Sequence, residues 1–196
     1  MKEKRKKLFD IADRQLKITC TLPDKYLEFL HLMAIHGYDI TNTLLIQAQH
    51  PDSVLLKDVA RFREDGFYIK KGEKGIAIFQ PGTSYQRRDG SIGINYNVKH
   101  IFDINQTSAD EIPSPVEYDR SQLAYAFSHK EKDADNDAET GLTPDEQLLK
   151  LLGHSCHKES RNLKESFILS AEYAICQKYR LKCDESFAND CVATLS

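Results

Sequence analysis

Tryptophan is absent and methionine occurs only twice in 196 residues. No apolar run approaches the roughly 20 residues that a membrane-spanning helix requires, so no membrane partner is expected. The start, Met-Lys-Glu-Lys-Arg-Lys-Lys, is basic but lacks the apolar core and small-residue cleavage site of a secretory leader. The expected location is therefore the cytoplasm. The cysteines, Cys20, Cys156, Cys176, Cys183 and Cys191, are odd in number and irregularly spaced, which fits reduced thiols and excludes a disulfide-stapled miniprotein. Proline (6) and glycine (9) are too few for a collagen-like or low-complexity chain. With 40% hydrophobic and 29% charged residues the composition is globular, and the length fits one domain or one plus a small appendage. The sequence also lacks a Gly-x-Ser-x-Gly elbow, a phosphate-binding P-loop and a dinucleotide fingerprint.

A strong net charge is missing too, but the formal −3 hides an uneven distribution. Residues 1–106 hold 17 Lys/Arg against 13 Asp/Glu, a balance of +4. Residues 107–147 hold 3 against 11, a balance of −8, and residues 148–196 hold 7 against 6. A moderately basic front part is compatible with a polyanionic partner. The acidic middle reads as a solvated linker, or as a strip that imitates nucleic acid.

Helical periodicity dominates the first third. Leu8 to Leu16 reads as a short helix, Pro23-Asp24 opens a second that Gly37 stops, and Thr41 is a plausible N-cap for Asn42 to Gln49. A fourth helix is expected from Val54 to Glu64. The period then changes to two. Phe67–Lys70 and Ile76–Gln80 read as strands across the turn Lys71–Gly75, with Pro81-Gly82 as the stop. Tyr85–Arg88 and Ile92–Val98, continuing to Ile104, read as a second hairpin across Asp89-Gly90. Short helices packed on an antiparallel meander give an α+β domain over 1–106. An acidic linker follows over 107–143, with one short helix near Gln122–Phe127. A helical segment over 144–196 starts at the Thr143 N-cap, with a longer helix from Asn162 to Tyr179 and a short one from Glu185 to Val192.

The densest polar signal is Tyr68-Ile69-Lys70-Lys71-Gly72-Glu73-Lys74-Gly75. Three lysines on a glycine-containing turn can project together, and glycine lets the backbone approach a phosphate. Arg61 and Arg63 precede this turn, Arg87, Arg88 and Lys99 follow it, and Tyr68, Phe79, Tyr85 and Tyr96 interleave with the cations. Cations that release counterions and rings that stack on unpaired bases are what a single-stranded nucleic-acid platform requires. A solvated hairpin turn is the plainer reading of the same residues. A second constellation, His154-Ser155-Cys156-His157, places two histidines at i, i+3 where they could grip a metal, supplemented by Cys156, Glu165 or Glu172. It is not the His-Glu-x-x-His spacing of zinc peptidases, and two polar residues on a helix end would look the same.

Three strings then resemble a known family. Thr41-Asn42-Thr43-Leu44-Leu45-Ile46 with Gln49-His50-Pro51, Ile69 to Ile76, and Ile101-Phe102-Asp103-Ile104-Asn105-Gln106-Thr107 are similar in order and spacing to the N-terminal domain of ArdC/LtrC-like antirestriction proteins, over roughly residues 8–107. The resemblance implies a single-stranded-DNA-binding domain encoded on plasmids and conjugative elements. It singles out Lys70, Lys71 and Lys74, with Asn42 and Gln47 on the neighbouring helix as secondary candidates. Full-length members continue into a zinc metallopeptidase-like domain. Glu165 to Leu181 resembles the helix after the peptidase motif, but Gly153–His157 keeps only the second histidine and Leu169 stands where the third ligand would be. The resemblance thus implies a shortened, degenerate peptidase remnant without catalysis, metal or other cofactor.

The expected function is that of a non-catalytic counter-defence protein, antirestriction or anti-CRISPR in type. Its partners would be single-stranded DNA or RNA, or a host restriction or CRISPR effector nuclease with its nucleic acid. Two alternatives stay open: a metal-dependent hydrolase using His154 and His157, and a protein-interaction module acting through the acidic segment.

Overall fold

The computed structural model describes residues 2–112, 117–128, 143–159 and 164–195. In chain order the elements are α1 (Lys2–Thr19), α2 (Pro23–His36), α3 (Ile40–Gln49), β1 (Leu56–Lys57), α4 (Val59–Glu64), β2 (Ile76–Gln86), β3 (Ile92–Asp103) and a 3₁₀ turn (Ile104–Gln106). The helices α5 (Arg120–Ser128), α6 (Pro144–Glu159), α7 (Glu165–Tyr179) and α8 (Phe187–Leu195) follow. The class is α+β, with one antiparallel sheet of order β1–β3–β2. The chain divides into two compact units, Met1–Thr19 with His36–Pro113, and Cys20–Ile35 with Ser114–Ser196.

In the first unit the first helix is longer than the expected Leu8–Leu16, because the basic run forms the opening turns of α1, whose buried stripe is Leu8, Ala12, Gln15 and Thr19. Leu8 and Ala12 pack with Leu45 of α3 and Phe79 of β2, and the Phe9 ring stacks on Phe79 at 4.4 Å. Burying apolar side chains of this size contributes about 1.5–3 kcal/mol each. Helix α3 begins at Asp39, not Thr41, because the Asp39 carboxylate accepts the Asn42 backbone N–H at 2.9 Å. The expected helix from Val54 is instead β1 followed by α4. Asp103 draws the Val54 and Leu55 N–H groups into an extended path, and Asp58 then caps α4 through the Arg61 N–H at 2.9 Å.

The sheet differs from the expected four-strand meander. Phe67–Lys70 contributes only an isolated bridge, Ile69 to Thr107, and the two hairpins merge into one long β2–β3 ribbon closed at Asp89-Gly90. Pro81 does not end β2. It lies at a position whose backbone faces away from β3, so its missing N–H costs no ladder bond, and a bulge between Pro81 and Ser84 absorbs the irregularity. Beyond the bulge the Tyr85 ring lies over Gly93, where a Cβ would stand 2.6 Å from the ring.

The exposed edge of β2 is closed by two side-chain amides of α3. Asn42 accepts from the Phe79 N–H at 2.8 Å and donates to the Phe79 carbonyl at 2.9 Å. Seven residues on, Gln49 repeats the pattern with Ala77, at 3.0 and 2.9 Å. Each amide imitates a peptide group of a neighbouring strand, which satisfies the edge and blocks further pairing. Asn42→Ala is expected to destabilise the chain by about 2–3 kcal/mol, because it strands a buried N–H and C=O. The exposed Gln49→Ala should cost less than about 1 kcal/mol. Urea unfolding of the two variants measures the difference.

In the second unit Leu148 and Leu152 of α6 pack with Cys176 and Leu181, so Cys176 is a core residue as its apolar helix position suggests. Thr143 caps α6 in a reciprocal box with Glu146. The Tyr26 hydroxyl lies 3.0 Å from Ser170 Oγ. Burial pushes the Tyr26 and Tyr173 hydroxyls up from the ordinary 10.0 to about 12. A raised folded-state pKa means that this contribution to stability is intact below pH 10 and lost as pH rises toward about 12. Alkaline unfolding followed by circular dichroism should fall in that window, and Tyr26→Phe should reduce its steepness.

Candidate nucleic-acid interface

The Lys70–Gly75 segment is a loop entering β2, and its backbone is tied down from within the unit. Lys70 N–H donates to the Gln106 carbonyl at 2.9 Å, and Glu73 N–H to the Lys70 carbonyl at 3.3 Å. The Gln106 amide donates both to the Glu73 carboxylate (2.9 Å) and to the Lys74 carbonyl (3.0 Å), while its oxygen accepts the Asp103 N–H at 2.9 Å. Gly72 takes φ +96°, a conformation side-chain-bearing residues rarely adopt. Gly75 lies against Phe102 and His100, 2.9 to 3.0 Å from where a Cβ would stand, so a larger residue would push the loop off β3.

The 3₁₀ turn that carries Gln106 is itself anchored by a fully buried carboxylate. Asp103 accepts the Val54 and Leu55 N–H groups at 2.8 and 2.9 Å, and the Asn105 side-chain amide at 2.8 Å. His50 Nε2 stands 3.7 Å from the same carboxylate. Thr107, completely buried, bridges to Ile69 on the far side of the loop. The three strings that carry the family resemblance therefore converge: the first closes β2, the second is the lysine loop, and the third clamps it.

Lys70, Lys71 and Lys74 are exposed on this held backbone. Lys70 Nζ donates to the Asn105 carbonyl at 3.1 Å, a neutral partner that leaves its charge uncompensated. Glu73, the one acid of the loop, is turned to Gln106. An open cleft of about 540 Å³ runs between the loop and the end of α3, lined by His50, Gly72, Lys74 and Gln106 among others. That falls within the roughly 300–1,000 Å³ of small-ligand clefts. Tyr68 is 63% exposed beside the loop and held by Ser108, so its ring is free to stack.

The other expected residues separate into groups. Arg61 and Arg63 are exposed on the last turn of α4, and Arg87 and Arg88 at the tip of the β2–β3 ribbon. Lys99 is spent on Asp58 at 2.7 Å, and that bond, with the Arg61 N–H next, holds the Asp58 carboxyl below its ordinary range. Asn42 and Gln47 are buried: Asn42 closes β2, and Gln47 accepts from the Thr19 hydroxyl at 2.8 Å. Both are engaged inside the unit and do not line the loop. Phe79 is core, and Tyr96 meets it edge-on at 6.1 Å while remaining 42% exposed.

One cationic feature is not legible in the sequence. Lys4 and Arg5 of α1 lie beside Tyr96, Asn97, Val98 and His100 of β3 and form a groove with them, Arg5 donating to the Tyr96 carbonyl at 3.3 Å. The metal reading on His154 and His157 falls on side chains outside the described ones. Among the described residues no group of three or more His, Cys, Asp or Glu could hold a metal ion, and no helix is long and apolar enough to cross a membrane.

No family model matches the chain, and no solved structure does. The chain is similar to a plasmid-encoded protein of Bacillus anthracis named "Uncharacterized protein pXO2-81". The two are 24% identical over 161 residues, which cover 68% of this chain and 27% of that protein. The chain thus spans about a quarter of the length of this relative.

Proposed function

We propose that the chain is a non-catalytic counter-defence protein of a mobile genetic element that binds single-stranded nucleic acid, free or within a nuclease–nucleic-acid complex, through the Lys70–Gly75 loop. The observation that carries this reading is the division of labour in the loop. Gln106 bonds to the Lys70 N–H, the Lys74 carbonyl and the loop's one acid, whereas the loop's three ammonium groups are exposed without a carboxylate partner among the described residues. A solvated turn needs no such clamp, while phosphate recognition gains from cations whose backbone is ordered before binding. The plasmid-encoded relative and the resemblance to antirestriction proteins support the mobile-element part of the reading. Stacking on Tyr68, at about 1–3 kcal/mol per base, would favour unpaired over paired strands.

Fluorescence anisotropy with labelled single-stranded DNA, single-stranded RNA and duplex DNA tests the proposal. Tighter, salt-sensitive binding to a single strand is expected. Equal affinity for duplex, or no binding at low salt, would refute it.

A further inference from the structure

The two edges of the sheet are treated differently, and the difference points to a second binding surface, independent of the lysine loop. Residues directly opposed in an antiparallel pair either bond to each other or both face outward. Because Ala77 and Phe79 bond outward to Gln49 and Asn42, their partners His100 and Val98 on β3 must also face outward. The alternation carries to Tyr96, Ile94 and Ile92 along β3. Two contacts confirm the phase: Ile104 N–H donates to the Leu55 carbonyl beside β1, and the Tyr96 carbonyl accepts from Arg5.

The β1 strand pairs only with Phe102 and Asp103. Among the described residues nothing bonds the outward N–H and C=O groups of Ile92, Ile94, Val98 and His100. An unpaired edge of this length is a template for another strand. Beside it runs the groove whose cations are Lys4 and Arg5, with no acidic residue in its lining among the described residues. Ile92 and Ile94 are 76% and 49% exposed along the same row.

We infer that the outer edge of β3 is a docking site for an extended acidic segment of a partner protein, which adds to the sheet as a further strand. The alternating donors and acceptors fit a peptide backbone, whereas a phosphate chain offers acceptors only. Charge complementarity with Lys4 and Arg5 selects carboxylates on one face of the added strand. The exposed isoleucines, further along β3 on the same face of the sheet, select apolar or β-branched residues on that same face of the added strand.

The test is a display library of random linear peptides panned against the full chain. Sequences with residues of one face at every second position, acidic toward one end and β-branched toward the other, should be enriched. A synthetic copy of the most enriched one should slow amide hydrogen exchange at Ile92, Ile94 and Val98. Its affinity should fall roughly tenfold with I94P, which removes an outward N–H. A similar fall is expected with the doubly reversed K4E/R5E, a surface change that keeps the proposal testable if I94P fails to fold. Enrichment without acidic residues, or equal binding by K4E/R5E, would overturn the inference. So would displacement of the peptide by an oligonucleotide, or self-association of the chain that K4E/R5E abolishes, since each gives the edge to another occupant.

Discussion

Asp103→Ala is expected to lower stability by about 3–5 kcal/mol, the largest effect of any single substitution considered. The carboxylate is wholly buried and accepts from two N–H groups of the Val54–Leu55 segment as well as from Asn105. Alanine leaves those donors without their acceptor at a fully buried position. Asp103→Asn keeps an acceptor for part of the set and should cost about half as much. The proposed binding should weaken with it, because Asp103 fixes the turn from which Gln106 reaches the lysine loop. Thermal unfolding measures the loss, and a drop of less than about 3 °C would show that the network carries little of the fold's stability.

The triple substitution of Lys70, Lys71 and Lys74 by alanine should have the opposite profile. All three side chains are exposed, so stability should change by less than about 0.5 kcal/mol each. Binding to single-stranded DNA should weaken, and the slope of log K against log salt should flatten by up to about two units, at roughly 0.7 per phosphate contact. Lys99→Ala is a matched control. Its charge is already answered by Asp58, so it should leave the salt slope unchanged. A triple variant that kept the full slope would reduce the loop to a solvated turn.

Local chemistry made the α+β order, the Thr143 N-cap and the lysine loop readable in the sequence. The misplaced strand end shows where local reading stops. Whether Pro81 breaks a strand depends on which way its missing N–H would have pointed, and register across the sheet decides that. Asn42 posed the same difficulty: a side-chain amide suits a base edge and a backbone peptide equally, and only the partner strand distinguishes them. The groove at Lys4 and Arg5 was not legible because the β3 residues they approach lie about ninety positions away. The convergence of His50, Gln106 and the loop is likewise a product of long-range pairing.

A titration of isotope-labelled protein with single-stranded DNA tests the proposed binding at the clamped loop most directly. Amide shifts concentrated at residues 68–75, His50 and Gln106 are the predicted result. Shifts confined to the β3 edge or the second unit, with the loop unmoved, would contradict it.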